Sequence, residues 1–301
     1  MHFRELEYMV KLAEEQNLTR AAEKLFITPS ALIQQLVHLE KEIGTALFFR
    51  SRNGWTPTKA GEIYLSSAAE ILNIRRETYK RLQDIVTTQK GFLSIGFPPE
   101  RGATMFTSVY PAFHQKFPNI TINIHEISVR QQQSMISTGE LDIGFMTLCK
   151  KQQTDDEYLF IKHEELVLAV PKHHPVGQNA RSDPERRFPV LDYTALCYEP
   201  FAQMYKGSTA RKLIEDIFRQ ANFHPTVLFE TARAITILEM VAAKMCCGVV
   251  PDFYARTDHP DISFYCLPEH PVWDIVASYK KGSYLNQAAR YFIALASDYW
   301  T

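Results

Sequence analysis

Between Ile43 and Gly61 the chain carries Arg50, Arg52 and Lys59 and no acidic residue. Upstream, Thr28–Pro29–Ser30 sets a hydroxyl ahead of a proline, the pattern of a helix N-cap followed by the first helical position. A helix started there places Ser30, Ile33 and Gln34 at i, i+3 and i+4, on one shared face. Unopposed cations make phosphate contacts. A Ser and a Gln on the leading turns of a helix hold the donors and acceptors that read base edges. The chemistry on offer is recognition, not bond breaking.

Residues for covalent chemistry do not assemble into a pattern. The chain has no nucleophile elbow, no P-loop and no dinucleotide fingerprint, so an enzyme, the competing class, finds no carrier. His173–His174, His259 and His270 lack metal-ligand spacing or partners. The five cysteines, Cys149, Cys197, Cys246, Cys247 and Cys266, are odd in number and contain no C-x-x-C. That argues against a disulfide framework and a zinc site and for buried free thiols. The expectation is no metal and no cofactor. The net charge of −1 hides nothing large: residues 1–90 hold 13 Lys/Arg against 11 Asp/Glu, and residues 91–301 hold 20 against 23. Any contact with nucleic acid therefore rests on local placement. The longest uncharged run, Gly102–Gln115, spans 14 residues and includes Pro111. That is short of the roughly 18–20 apolar residues of a membrane span. With Arg4, Glu5 and Glu7 in the first ten residues there is no signal-peptide core, and the expectation is a cytoplasmic protein with no membrane partner. The same absence weighs against a stand-alone solute-binding protein.

These side chains need a scaffold, and 301 residues allow two or three domains. Phe3, Leu6, Met9, Val10 and Ala13 form one helical stripe. Thr19 reads as the N-cap of a second helix over Arg20–Leu25, with Ala21, Ala22 and Leu25 inward. Thr28 caps a third, running to about Glu42 with Leu32, Leu36, Leu39 and Ile43 inward and Gly44 as C-cap. Asn53–Gly54 between Leu47–Phe48–Phe49 and Trp55–Thr56 is the strongest short signal for a hairpin. Thr58 caps a long helix from Lys59 to about Val86. Its apolar positions, Ile63, Ile74, Tyr79 and Leu82 among them, exceed what one helix buries alone and require another domain or a second copy.

From Gly91 strands alternate with helices, which implies parallel sheets flanked by helices. Strands are expected over Phe92–Phe97, Ile120–Ile127, Leu141–Met146, Glu165–Val170, Ala195–Tyr198, Thr226–Phe229, Gly248–Val250 and Trp273–Tyr279. Helices are expected over Gly102–Phe117, Val129–Thr138, Gly207–Ala221, Thr231–Lys244 and Tyr284–Trp300. The fold class is α/β overall, with a mainly α segment ahead of it. The boundaries fall at 1–58, 59–90 and 91–301.

Three short helices and a basic hairpin form a winged helix-turn-helix pattern. The third helix enters the major groove, the second crosses the backbone and the wing brings cations to phosphates. On Ala21–Ala22 with Leu25, Thr28–Pro29–Ser30–Ala31–Leu32, Leu39–Glu40, Gly44, Leu47–Phe48, Arg50 and Thr58–Lys59–Ala60–Gly61, the sequence resembles the LysR-type transcriptional regulators. Looser fragments extend the resemblance: Gly139–Glu140–Leu141–Asp142–Ile143, Leu166–Val170 with Pro171 and His174–Pro175, and Gly248–Val249–Val250–Pro251. It implies a DNA-binding regulator modulated by a small-molecule effector. The implied partners are double-stranded DNA at a pseudo-palindromic site, a second copy in a dimer or tetramer, the effector and RNA polymerase.

The sequence departs from that pattern at Ile33, where the family commonly has serine, and at Val37 or His38, where it has a basic residue. Ile33 cannot donate to a phosphate but can pack on a thymine methyl. The DNA-facing set is then Pro29, Ser30, Ile33 and Gln34 at the bases, Gln34 being able to pair bidentately with adenine. Arg20, Thr28, Arg50 and Arg52, with Asn53 at the wing, fall on phosphate or in the minor groove.

The resemblance also implies a periplasmic-binding-like C-terminal region with a ligand between two α/β lobes. Lobe I would be 91–163 with 269–301, and lobe II 164–268. In open α/β sheets ligands bind beyond the carboxyl ends of strands, near helix N-termini. That rule selects Pro99, Glu100, Arg101, Gly102, Ser128, Thr147, Phe201 and Thr231. Ser128 and Thr231 read as N-caps that either hold an anion or serve as caps alone. By resemblance many effectors are small carboxylates. Arg101 and Arg130 suit one, while Glu100, Glu199 and Glu230 favour a cationic or neutral metabolite. Cys149 and Cys266, both near lobe crossovers, read either as a redox pair or as two buried thiols.

Overall fold

Leu6, Met9 and Leu12 recur at three-residue spacing along α1 (Phe3–Glu15), and all three are buried. Met9 and Leu12 meet Ala21 and Ala22 of α2 (Leu18–Lys24) and Leu32, Leu36 and Leu39 of α3 (Pro29–Ile43) in one core, closed by Leu47 and Phe48. The computed structural model that shows this describes residues 2–51, 54–85 and 90–301. It separates into two units, residues 1–88 with 283–286, and residues 89–282 with 287–301. α2 starts earlier than the sequence pattern indicates. Asn17, not Thr19, is its N-cap, its side-chain oxygen accepting the Arg20 N–H at 3.1 Å. α3 is capped by Thr28 at its start and by Gly44, which takes φ 82, at its end.

The hairpin follows as β1 (Phe48–Ser51) and β2 (Gly54–Pro57), with Ser51 paired to Gly54. Gly54 is thus the first residue of a strand. It has φ 129, and a Cβ there would stand 2.5 Å from the Gln16 carbonyl oxygen, which accepts the Trp55 N–H at 2.9 Å. α4 (Lys59–Ile85) completes the unit. Arg52, Asn53 and Val86 lie outside the described residues.

In the second unit β3 (Gly91–Phe97), α5 (Arg101–Lys116), β4 (Ile120–Glu126), α6 (Val129–Thr138) and β5 (Ile143–Leu148) form one β-α-β-α-β run. After the long β6 (Glu157–Pro171), a second run follows through β7 (Pro200–Met204), α7 (Thr209–Gln220), β8 (Thr226–Thr231), α8 (Ala234–Ala242) and β9 (Cys247–Pro251). β10 (Ile262–Cys266), β11 (Val272–Tyr279) and α9 (Gln287–Trp300) end the chain. The strand order is β4-β3-β5-β11-β6-β9-β7-β8, with β10 also on β6. Within each run the pairs are parallel, while β11 and β6 run antiparallel to their neighbours and join the two. β6 does this by its length: residues up to Glu165 pair with β11, and those from Leu166 pair with β9. Along its second half Leu166, Leu168 and Val170 enter one core with Phe201, and Val167 and Ala169 enter another with Ile237 and Val250. That is the period-two alternation of a strand covered on both faces.

Several sequence expectations shift here. Ala195–Tyr198 is not a strand: Tyr193–Leu196 forms a 3-10 turn and the strand is Pro200–Met204, its proline at the first position, where a missing N–H costs little. β5 begins two residues later than expected, and α8 begins at Ala234, not Thr231. β6 is far longer than Glu165–Val170 and α9 starts at Gln287, not Tyr284. Cys149 packs on the Leu168 cluster and Cys266 belongs to the Val167 cluster, on the opposite face of the strand. Burial pushes both thiols up, away from the thiolate a redox pair requires. Among the described residues no helix is long and apolar enough to cross a membrane.

Candidate nucleic-acid interface and ligand cleft

The buried stripe of α3 dictates what its other side presents. With Leu32, Leu36 and Leu39 inward, Ser30 and Gln34 stand exposed, Pro29 is exposed ahead of them and Ile33 is half-buried between. Thr28 Oγ1 accepts the Ala31 N–H at 3.2 Å and lies 3.0 Å from Ser30 Oγ, which pins the first turn. The amides of that turn form the positive end of a 15-residue helix dipole. Arg20 is exposed on α2. Arg50 is exposed on β1, its guanidinium 5.7 Å from the Trp55 ring centre.

Two side chains lock hairpin to helix. Glu40 of α3 accepts the Leu47 and Phe48 N–H groups at 2.7 and 3.3 Å. The buried Thr58 hydroxyl donates to Ala46 O at 2.7 Å and accepts the Gly61 N–H at 3.0 Å. A Cβ on Gly61 would stand 2.0 Å from Leu47 O. Glu40, Leu47, Phe48, Thr58 and Gly61 thus serve the geometry that fixes a wing beside a helix.

In the second unit a cavity of about 90 Å³ opens at the carboxyl ends of β3, β7 and β9. Pro98, Pro99, Glu100, Arg101, Ser128 and Thr147 line one side; Met204, Tyr205, Ser208, Thr209, Ala234 and Tyr254 line the other. The N-termini of α5, α6, α7 and α8 converge on it. Ser128 caps α6 through Gln131 N–H, and Ser208 caps α7 through Arg211 N–H at 3.1 Å. The Arg101 guanidinium is already engaged. It is 7% exposed, paired through two nitrogens with Glu164, which is 4% exposed, and stacked between Phe253 and Trp300 at 4.9 and 4.3 Å. Trp273 Nε1 donates to the same carboxylate at 2.7 Å. Asp252 beside this group has its pKa raised to about 6, by burial first and by Glu164 second, against the lowering pull of Arg187, Lys162 and Arg101.

Residues 3–62 match the family model of the bacterial regulatory helix-turn-helix protein, lysR family, and residues 87–301 match that of the LysR substrate binding domain. The chain is a LysR-type transcriptional regulator. It is 27% identical over 299 residues to the Hca operon transcriptional activator HcaR of Escherichia coli (strain K12), covering 99% of this chain and 98% of that one. Its fold is similar to that of a full-length OxyR variant from Pseudomonas aeruginosa, with TM-score 0.68, 22% identity and coverage of 99% and 94% of the two chains. Full-length CbnR complexed with its target DNA matches at TM-score 0.50 and 21% identity, covering 99% and 100%. As a member of this family the regulator binds DNA through its helix-turn-helix unit and binds a small-molecule effector through its substrate-binding domain.

Within the regulator's cleft the structure gathers Pro99, Glu100, Arg101, Ser128 and Thr147. Three expected residues lie elsewhere. Phe201 is fully buried in the core, because the strand expected before it is in fact the strand that contains it, and the loop at its carboxyl end is Met204–Tyr205. Gly102 packs α5 on β3, where a Cβ would stand 2.3 Å from the Phe97 ring. Thr231 ends β8 and accepts the Arg233 N–H at 3.2 Å; Arg233 is the N-cap position of α8. Of the three expected acids only Glu100 lines the cleft: Glu199 faces His174 at 3.3 Å and Glu230 pairs with Arg211 at 3.3 Å. Ser208, Thr209, Tyr254 and Trp273 also line it, which the sequence reading did not expect. Ser208 followed by a helical run was a readable N-cap signal; Tyr254 and Trp273 carried none.

Proposed function

We propose that Pro29, Ser30, Ile33 and Gln34 read bases in the major groove, while Arg20, Thr28 and Arg50, with Arg52 and Asn53 of the wing, hold phosphates or the minor groove. Two copies pair through α4 and address a pseudo-palindromic site. The observation that carries this reading is the division of α3: its apolar stripe is buried, and Ser30 and Gln34 are exposed next to the positive end of the helix. The working division of the chain is 1–58, 59–90 and 91–301. The ligand sits between lobe I (91–163 with 269–301) and lobe II (164–268).

The cleft wall is mostly apolar, and hydroxyls of Ser128, Thr147, Ser208 and Thr209 punctuate it. Among the described lining residues its one cation, Arg101, is already paired. The cleft therefore suits a compact, largely apolar metabolite with one polar head group. The protein acts by binding and not by turnover, in the cytoplasm where its DNA lies. Binding of an effector that favours one arrangement of the lobes shifts the oligomer and with it DNA affinity or bending. Footprinting of the full-length protein on the DNA upstream of its neighbouring gene, with and without candidate metabolites, tests this. A protected two-half-site footprint that changes with one metabolite class supports it.

A further inference from the structure

We infer that Glu100 is a built-in occupant of the cleft's anion position, holding the N-terminus of α8 until the anionic head group of a ligand takes over the same two amides. Glu100 accepts the Ala234 N–H at 2.9 Å and the Ile235 N–H at 3.2 Å, and so ties the loop between β3 and α5 to a helix of the other β-α-β-α-β run. It does so from φ 69, ψ −74, a region that non-glycine residues rarely occupy and that surrounding structure must hold. α6 and α7 carry their own serine caps at this cleft, whereas Arg233 at the N-cap of α8 makes no side-chain cap bond. The α8 amides are thus satisfied by a side chain more than a hundred residues away in sequence. Glu100 is also the only carboxylate among the described cleft-lining residues.

The inference rests on the reading of the cleft as the effector site and names the ligand class and the switch within it. A ligand carboxylate that replaces the Glu100 carboxylate leaves both amides bonded and exchanges one anion for another at the positive end of α8. The freed Glu100 no longer links the two runs, and that lost link is the structural signal.

The test uses the full-length protein, its Glu100→Ala and Glu100→Gln variants, and acetate, benzoate and uncharged benzamide as probes, with amide hydrogen exchange as readout. Glu100→Ala is expected to speed exchange at Ala234 and Ile235 roughly tenfold or more, the size of a lost charge-assisted hydrogen bond. Acetate or benzoate should restore protection there, binding Glu100→Ala roughly tenfold more tightly than the wild type, since no internal carboxylate competes. Glu100→Gln, which keeps the shape without the charge, should fall between. Benzamide should not distinguish the proteins. The inference is overturned if neither carboxylate restores protection in Glu100→Ala, or if carboxylates bind all three proteins equally. Equal protection near Ser128 and Thr147 in all three would leave the effector cleft standing and remove only the exchange. If no probe protects the cleft in any of them, both readings fall.

Discussion

Gln34 and Arg50 are both exposed, and on the proposed DNA face they would touch different parts of the duplex. An amide on α3 can discriminate one base; a guanidinium on the wing meets only phosphate or groove shape. Gln34→Ala is expected to cost roughly 1–3 kcal/mol at one base pair and leave the salt dependence of binding unchanged. Arg50→Ala should weaken all sequences alike and lower the slope of log affinity against log salt by about 1. Fluorescence titration against matched and mutated duplexes separates the two. Gly61→Ala should lower stability by roughly 2–3 kcal/mol, because its Cβ would collide with Leu47 O at the joint of wing and α4. Urea unfolding measures this directly.

Asp252 supplies a pH test at the same scale. Its folded pKa is raised from 3.8 to about 6, so its ionised form costs the fold stability. The cost is absent below 3.8, grows up to about 6 and is complete above it. Asp252→Asn should therefore gain on the order of 2 kcal/mol at neutral pH and nothing under acid conditions, as read by denaturant midpoints across the range. Among single residues the caps at Thr28 and Ser128 were legible by type and position, while Thr19 and Thr231 were misread, since Asn17 caps α2 and Arg233 precedes α8. The Arg101–Glu164 pair was not. Its partners lie 63 positions apart and meet only because β6 runs past the start of α5.

At the scale of elements, α4 shows best how an unfinished surface predicts a partner. Ala68 is buried, but Ile63, Ile74, Tyr79 and Leu82 are exposed along the helix. An apolar stripe of this kind fits pairing with a second copy. Ile74→Glu should shift the assembly toward monomer and weaken binding to a two-half-site duplex far more than to a single half-site. Light scattering and gel shift are the measurements. If Ile74→Glu keeps the wild-type mass, the stripe is not the pairing face.

Helices were legible here because their periodicity spans several turns. Strands were less so. The polar stretch Lys162–Glu165 breaks the apolar pattern of β6, yet it continues as a strand because it pairs with β11 on its way between the two runs. β7 begins at a proline, which sequence rules read as a break and the sheet uses as a first residue.

On the scale of the molecule, two parallel β-α-β-α-β runs joined by antiparallel strands follow from the alternation of strand and helix. The cleft follows from the rule that carboxyl ends of strands and helix N-termini face the ligand. What the alternation could not convey is the state of the charges inside. Arg101 is neutralised by Glu164, Glu100 is spent on α8, and Glu199 and Glu230 lie elsewhere. Those facts depend on which side chains meet across the sheet, and only the packed fold holds them.

In the proposed complex α3 reads sequence while the wing grips the strand beside it. The most direct measurement of this is footprinting of the wild-type protein and a Ser30→Ala/Gln34→Ala variant on DNA from its own locus at low ionic strength. Two protected half-sites are expected for the wild type. For the variant the expected result is loss of that pattern with weak, sequence-independent binding retained. No protection by the wild type, or an unchanged footprint in the variant, would contradict the proposed complex.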